Sequence, residues 1–381
     1  MIGRSIASLA LGGSLLLAVA CPHPPEGLFE RVQRARILAD RPTSVHASDL
    51  NADGWLDVVV GSDSDTPISM RTNQGDGRLG IALRLRLDTS EQVIDLQALN
   101  RSARGPTVAV LLSSGVALLT DPRGEGFSVP PDGRVARCQD CGAFVAGDFN
   151  GDGDDDLLVA GALVSDHYPG PGLDSVQLPR PPRLGVPPAP RAVDLDRDGT
   201  DDLIATRELL TGTEGVLLFG SDTGAFTPLA LPPGIELASV LGAAEVDGDG
   251  LLDLVFAAPG ILGVVLADGG AYDQIFTASL PELDPISLEV LDADGDGHDD
   301  LAVGSADHRV WIYLGSGGGS FLRPADLELP GPPVDLHHGD LDQDGQDELL
   351  IVTPTVGEEQ AQLHVYRGGD LEEDVTLLQL F

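Results

Sequence analysis

Six stretches of this chain repeat one pattern, D-x-[DN]-x-D-G-x-x-[DE], with Glu at the first place in one copy, and each is followed by an apolar run. They begin at Asp49, Asp148, Asp194, Glu245, Asp292 and Asp340, and the last five lie 46, 51, 47 and 48 residues apart. A fixed period of that size marks a repeat architecture, in which each unit buries its apolar faces only against its neighbours. The first gap, 99 residues, is twice a period. Near its middle, Val93-Ile94-Asp95-Leu96 and the run Val108 to Leu112 keep the strand-like flanks and lack the acids. That degenerate copy, about residues 91–137, brings the count to seven.

Each unit reads as four strands. Short apolar runs bounded by turns, such as Val58-Val59-Val60 and Leu349 to Val352, fit strands buried on both faces. A second run follows, as in Val216 to Phe219 and Val310 to Tyr313, and then a glycine turn such as Gly75-Asp76-Gly77 or Gly317 to Phe321. No stretch has a long helical period, and 48 glycines with 28 prolines suit many turns. Seven four-stranded units predict an all-β, seven-bladed β-propeller over residues 29–381, because a closed ring leaves only short strand edges. A linear β-solenoid is the alternative. Residues 29–38 and 375–381 each hold a spare outer strand that could complete the seventh blade, and the sequence does not choose between them.

The acidic loops read as calcium sites. Ca²⁺ takes six to eight oxygen ligands. Positions 1, 3, 5 and 9 of each loop offer side-chain oxygens, position 7 a backbone carbonyl, and glycine at position 6 allows the sharp turn. In the first loop these are Asp49, Asn51, Asp53 and Asp57, with the carbonyl of Trp55. The next has Asp148, Asn150, Asp152 and Asp156, with Asp154, and the third has Asp194, Asp196, Asp198 and Asp202, with Thr200. The fourth has Glu245, Asp247, Asp249 and Asp253, with Leu251. The fifth has Asp292, Asp294, Asp296 and Asp300, with His298, and the last has Asp340, Asp342, Asp344 and Glu348, with Gln346. Positions 2, 4 and 8 vary. An EF-hand would need a bidentate Glu at position 12, but Val60, Val159, Ala205, Phe256, Val303 and Ile351 stand there. A plain hairpin needs one Asp-Gly, not three spaced acids in six copies. About six Ca²⁺ ions are therefore expected.

Together, the Asp-rich loop, the apolar strand after it and the G-x-G-x-F-like turn resemble the FG-GAP and VCBS-type repeats and the calcium-binding blades of the integrin alpha-subunit propeller. The resemblance covers nearly all of residues 29–381. It implies a seven-bladed propeller with calcium in the hairpin between the first two strands of a blade. The second blade departs from the pattern, so its site should be absent.

Composition narrows the partners. Asp and Glu number 61 against 22 positive residues, all of them arginine, for a net charge of −39. Nucleic acids and anionic membranes need a positive footprint, so neither is an expected partner. Hydrophobic residues still make up 42% of the chain, enough to bury a large core, while aromatics at 4% leave few stacking platforms.

Residues 1–20 read as an export signal, with Arg4 before an apolar stretch too short to span a membrane. Ala18-Val19-Ala20 fits ordinary cleavage, and with Cys21 it also resembles a bacterial lipobox, in which Cys21 is acylated. Cys138 and Cys141 can pair as a local disulfide, which leaves Cys21 alone and favours acylation. Residues 21–28 would then be the lipidated cysteine and a proline-rich tether. The expected place is the bacterial cell envelope, with the membrane touched only through the anchor, or else the periplasm or exterior.

No G-x-S-x-G, H-E-x-x-H or phosphate loop is present. His337-His338 could hold a transition metal but reads rather as inner-strand histidines satisfied by neighbours. His167 and Tyr168, within Gly161 to Gly172, are the most site-like loop residues, and Thr206 to Gly215 and Thr353 to Gln362 are the other long loops expected on the face opposite the calcium hairpins. The expectation is a non-enzymatic protein- or glycan-binding module. An exported polysaccharide lyase or hydrolase is the alternative, and it would need convergent His, Arg or Tyr at the centre of the ring.

Overall fold

The computed structural model describes residues 29–37, 41–63, 68–85, 92–99, 105–112, 115–120, 134–137, 141–161, 165–168, 190–209, 212–235, 238–280, 282–356, 361–368 and 376–379. The signal, Cys21, the tether and Cys138 lie outside them, as do the acid-free loop positions 100–104 of the second unit. No described helix is long and apolar enough to cross a membrane.

The described elements of regular structure are strands. Strand β1 (Phe29–Arg36) comes first in the chain but belongs to the last sheet. The first sheet is β2 (Pro42–Ser48), β3 (Asp57–Ser62), β4 (Ile68–Arg71) and β5 (Leu83–Leu85). The second is β6 (Val93–Leu99), β7 (Thr107–Leu112), β8 (Gly115–Thr120) and β9 (Arg134–Arg137). The third is β10 (Cys141–Gly147), β11 (Asp156–Gly161) and β12 (Ser165–Tyr168). The fourth is β13 (Arg191–Val193), β14 (Asp202–Leu209), β15 (Gly212–Phe219) and β16 (Thr227–Ala230). The fifth is β17 (Val240–Ala244), β18 (Asp253–Ala258), β19 (Ile261–Asp268) and β20 (Ala271–Ser279). The sixth is β21 (Pro285–Leu291), β22 (Asp300–Ser305), β23 (Arg309–Gly315) and β24 (Ser320–Glu328). The seventh is β25 (Asp335–Gly339), β26 (Glu348–Thr353) and β27 (Gln362–Gly368), and β28 (Thr376–Gln379) ends the described chain.

The pairing is antiparallel, strand to next strand, within each sheet. Strands β3, β7, β18, β22 and β26 are buried along their whole length, as their unbroken apolar runs require. The core is divided between the sheets. One apolar cluster joins the first and second sheets through Val59, Leu96 and Val110, and another joins the fifth and sixth through Val264, Leu288 and Trp311. Val45, Val58, Leu350 and Val365 share a cluster that joins the seventh sheet to the first. The opening strands β2, β6, β10, β13, β17, β21 and β25 touch in that order, and β25 touches β2. The chain is an all-β propeller, and the linear solenoid is excluded by that closing contact.

Two expectations are corrected or decided. Seven complete four-stranded blades were the expectation, but six sheets are complete and the third has three strands among the described residues. The open question of closure is settled in two ways at once. β1 pairs with β27 from Phe29↔Gly368 to Arg36↔Gln362 and completes the seventh sheet. The C-terminal β28 pairs instead with β24, as a fifth strand of the sixth sheet.

Candidate metal loops and a polar cluster on the inner strands

All six acidic loops lie between the first and second strands of a sheet. Their fold is set by their own carboxylates. The N–H of position 7 donates to the position-5 carboxylate in every loop: Trp55 to Asp53 (2.9 Å), Asp154 to Asp152 (2.9 Å), Thr200 to Asp198 (2.8 Å), Leu251 to Asp249 (2.7 Å), His298 to Asp296 (2.9 Å) and Gln346 to Asp344 (3.0 Å). The position-6 glycine donates to the position-1 carboxylate in five loops, from Gly54 to Asp49 through Gly345 to Asp340. The longer Glu245 departs from this and accepts from Gly248 at position 4 (2.6 Å). The six glycines adopt φ between +82° and +92°, a region open mainly to glycine.

The ninth position has a structural task beside any metal. Asp300 is fully buried; it accepts from the N–H of Ala293 (2.8 Å) and of Gly315 (2.7 Å). Asp202 does the same for Leu195 and Gly220, and Asp253 for Val246 and Ala267. Burial pushes the carboxyls of Asp57, Asp202 and Asp253 up to about 6, that of Glu348 to about 7 and that of Asp300 to about 8. In the second sheet Thr107 takes this place, pairing with Leu99 as Asp57 pairs with Ser48, and its hydroxyl donates to Gly105 O (2.8 Å).

The donor sets fit a hard cation. Among the described residues, four groups bring three carboxylates together: Asp194, Asp196, Asp202; Glu245, Asp247, Asp249; Asp292, Asp294, Asp300; and Asp340, Asp342, Asp344. In each, the three oxygens lie within 4.8 Å of one another. Burial, and after it the neighbouring carboxylates, raise Asp196 and Asp294 above the ordinary carboxylate value. Asn51 and Asn150 replace one carboxylate in each of the first two loops, so neither shows such a group.

Position 8, read from the sequence as free, is not. Asp201 accepts from the N–H of Asp148 on the preceding sheet (2.7 Å), and Asp299 accepts from the N–H of Glu245 (2.7 Å). Both bonds join the loop of one blade to the start of the loop before it. The glycine turns also bridge blades. At Gly77, φ is +74° and a Cβ would lie 2.8 Å from the Cβ of Asp342 on the seventh sheet, so only glycine fits there.

The second feature was not legible as a site. Aligning the units places His46, Gln97, Val145, Arg191, Gly242, Glu289 and His337 at one equivalent register position on the seven opening strands. In the six acidic units this is three residues before position 1, and comparison of the repeats at that offset could have found it. Glu289 is the hub, with 6% of its side chain exposed. Its Oε1 lies 2.9 Å from His338 Nδ1 and 3.4 Å from His337 Nδ1, and its Oε2 lies 3.3 Å from Arg191 Nη1. Arg191 also donates to Leu288 O (2.7 Å), across the fifth sheet, where the equivalent residue is Gly242. The ring of His46 is 4.6 Å from that of His337. Burial alone would raise Glu289, but the hydrogen bonds from His337 and His338, with Arg191, hold it well below the usual carboxylate range. Burial, aided by His337, lowers His46 well below its ordinary value, while Glu289 outweighs burial and raises His338. Asp335, raised to about 6 by burial, accepts from Val45 N–H (2.9 Å), and Asp95 is raised to about 7 by burial and then by Asp335.

His337 and His338 thus have neighbours that satisfy them, as expected, but the cluster around them is larger than the sequence suggested. His167 and Tyr168 lie in β12 rather than in a loop, opposite Leu158 and Leu157. Thr206 to Gly215 is also no long loop: β14 and β15 pair through it to Leu209↔Gly212. Of the proposed disulfide, Cys141 begins β10 and Cys138 lies outside the described residues.

Comparison with known proteins agrees with the repeat reading. Residues 41–81 match the FG-GAP repeat model and residues 292–351 the FG-GAP-like repeat model. No curated protein matches the chain. Among solved structures, BBS1N in complex with ARL6DN is similar at a TM-score of 0.60 with 14% identity, covering 93% of this chain and 99% of that one. An Agrocybe aegerita lectin, described as specifically recognising non-reducing terminal N-acetylglucosamine, matches at 0.54 with 14% identity over 84% of this chain and 93% of its own. At such identities the likeness is one of fold.

Proposed function

We propose that this protein is an exported, calcium-binding propeller whose ring of blades serves as a non-enzymatic protein- or glycan-binding module of the cell envelope, held by a lipid on Cys21. The observation that carries the calcium reading is the three-carboxylate group, repeated in four loops at the same place in the sheet. Calcium would supply positive charge to these crowded acids. The residues to hold it are those at positions 1, 3, 5 and 9, with the position-7 carbonyl. The binding role is supported by neighbours in fold, one complexed with a protein and one that recognises a sugar. The cytosol-free location and the anchor rest on the sequence of residues 1–21.

The test is thermal melting with and without EGTA. Because the ion binds only the folded chain, calcium at 100 times its dissociation constant contributes about 2.7 kcal/mol per site, and EGTA should lower the melting temperature markedly. An unchanged curve would overturn the calcium reading. A glycan array and a pull-down from envelope extracts, each with and without calcium, test the binding role.

A second reading has one specific observation behind it. The cluster of His46, His337, His338, Arg191 and Glu289 is the kind of convergence that the lyase or hydrolase alternative requires. Against it, the carboxylate of Glu289, the type of group that glycoside hydrolysis uses as acid or base, is already engaged by Arg191, His337 and His338. Turnover on a polysaccharide panel that vanishes in His337→Ala would establish the enzyme.

A further inference from the structure

The last acidic loop differs from the others in what stands beside it. Arg367, on β27, pairs with Glu348 in the strand register. Its Nε donates to Glu348 Oε1 (2.9 Å), and its Nη2 contacts Asp342 Oδ2. The guanidinium therefore engages positions 3 and 9 of one loop. Continuing the register of the other blades by one residue puts Thr72, Phe219, Leu266 and Leu314 opposite the ninth-position acid, none of them charged. There, the next backbone N–H serves that acid instead: Asn73, Gly220, Ala267 and Gly315 donate at 2.7–2.8 Å. In the seventh blade a fixed positive charge stands beside that acid. Its acid is also the longer Glu348, whose Oε2 keeps the usual bond from Leu341 N–H (2.7 Å) while Oε1 reaches the arginine.

We propose that Arg367 is the built-in counter-ion of this loop: it neutralises Asp342 and Glu348 without metal and competes with calcium there, so that this loop fills last. The inference rests on the calcium reading of the other loops. The guanidinium bridges two carboxylates by charge-assisted contacts and is always charged, so calcium must displace it to take the same oxygens. Asp342 is only 13% exposed and Glu348 2%, which limits the water available to shield them if Arg367 leaves.

Calorimetric calcium titration of the full chain and of Arg367→Met, with melting curves in EGTA and in excess calcium, tests this. The expected result is one more ion taken up per chain by R367M in the tight phase. In EGTA the variant should melt about 2–4 °C lower than wild type, and excess calcium should remove that difference. Adding Asp344→Asn to R367M should abolish the extra ion, whereas Arg367→Lys, which keeps the charge, should titrate as wild type does. Unchanged stoichiometry with an equal loss of melting temperature in both buffers would reduce Arg367 to an ordinary ion pair and overturn the inference while leaving the calcium reading intact. Failure of both proteins to take up calcium would overturn both.

Discussion

The acids of one loop look alike in the sequence, but the structure gives them different work. Asp300 is sealed in the sheet and binds two backbone N–H groups, whereas Asp294 stands in the mouth of the loop. Asp300→Ala should cost about 2–4 kcal/mol, because it leaves two buried donors without a partner, and the loss should be seen by denaturant unfolding in EGTA as well as in calcium. Asp294→Asn should lower stability only in calcium. Equal behaviour of the two variants would contradict this division. Asp95 shows the opposite case, an acid held at a cost. Its carboxyl is raised to about 7 by burial and by Asp335, so the folded chain holds its proton more tightly than the unfolded chain does. The stability this confers is complete below about pH 4, the unfolded value, and is lost as pH rises through about 7. Asp95→Asn should therefore raise the melting temperature at pH 8, by about 2 °C, roughly what 1 kcal/mol gives in a large domain, with less effect at pH 5. A gain as large at pH 5 as at pH 8 would refute it.

At the level of strands and loops, the blades are joined by polar bonds as well as by apolar faces. The side chain of Ser44 accepts from Leu96 N–H (3.1 Å), Gln97 accepts from Ala146 N–H (2.9 Å), and Asp335 accepts from Val45 N–H (2.9 Å). Each passes from one opening strand to the next. At the loop end, Asp201 and Asp299 repeat the device between successive acidic loops. Asp299→Ala should cost about 1.5–3 kcal/mol, the range for a hydrogen bond to a charged group, and hydrogen exchange should show the fifth and sixth blades loosened together. Protection lost in the sixth blade alone would mean that Asp299 serves only its own loop. The strands themselves were legible, since period, apolar runs and turns agree on them. The staples were not, because Ser44, Gln97 and Asp299 look like ordinary surface residues until the neighbouring strand is in place.

For the whole ring, closure is the decisive feature. β1 supplies the fourth strand of the seventh blade, tying the start of the described chain to β27, near its end. Deleting residues 1–36 should leave β27 as an open edge and abolish a single cooperative melting transition. Deleting residues 376–381 removes only the added fifth strand β28 and should lower the melting temperature by a few degrees at most. The reverse order would show that the C-terminal strand is the clasp. The sequence by itself determined the repeat, the all-β class and the acidic loops as recurring hairpin units, because these depend on spacings within about ten residues and on a period that returns along the chain. It could not choose between residues 29–38 and 375–381 as the closing strand, since both read as outer strands and the choice depends on where the ring brings each end. Nor could it reveal Glu289 held by Arg191, His337 and His338, or Arg367 beside Asp342. Those groups lie 25 to 98 residues apart along the chain; the packing of inner strands around one axis brings Glu289 to its partners, and the pairing of β26 with β27 brings Arg367 to its loop.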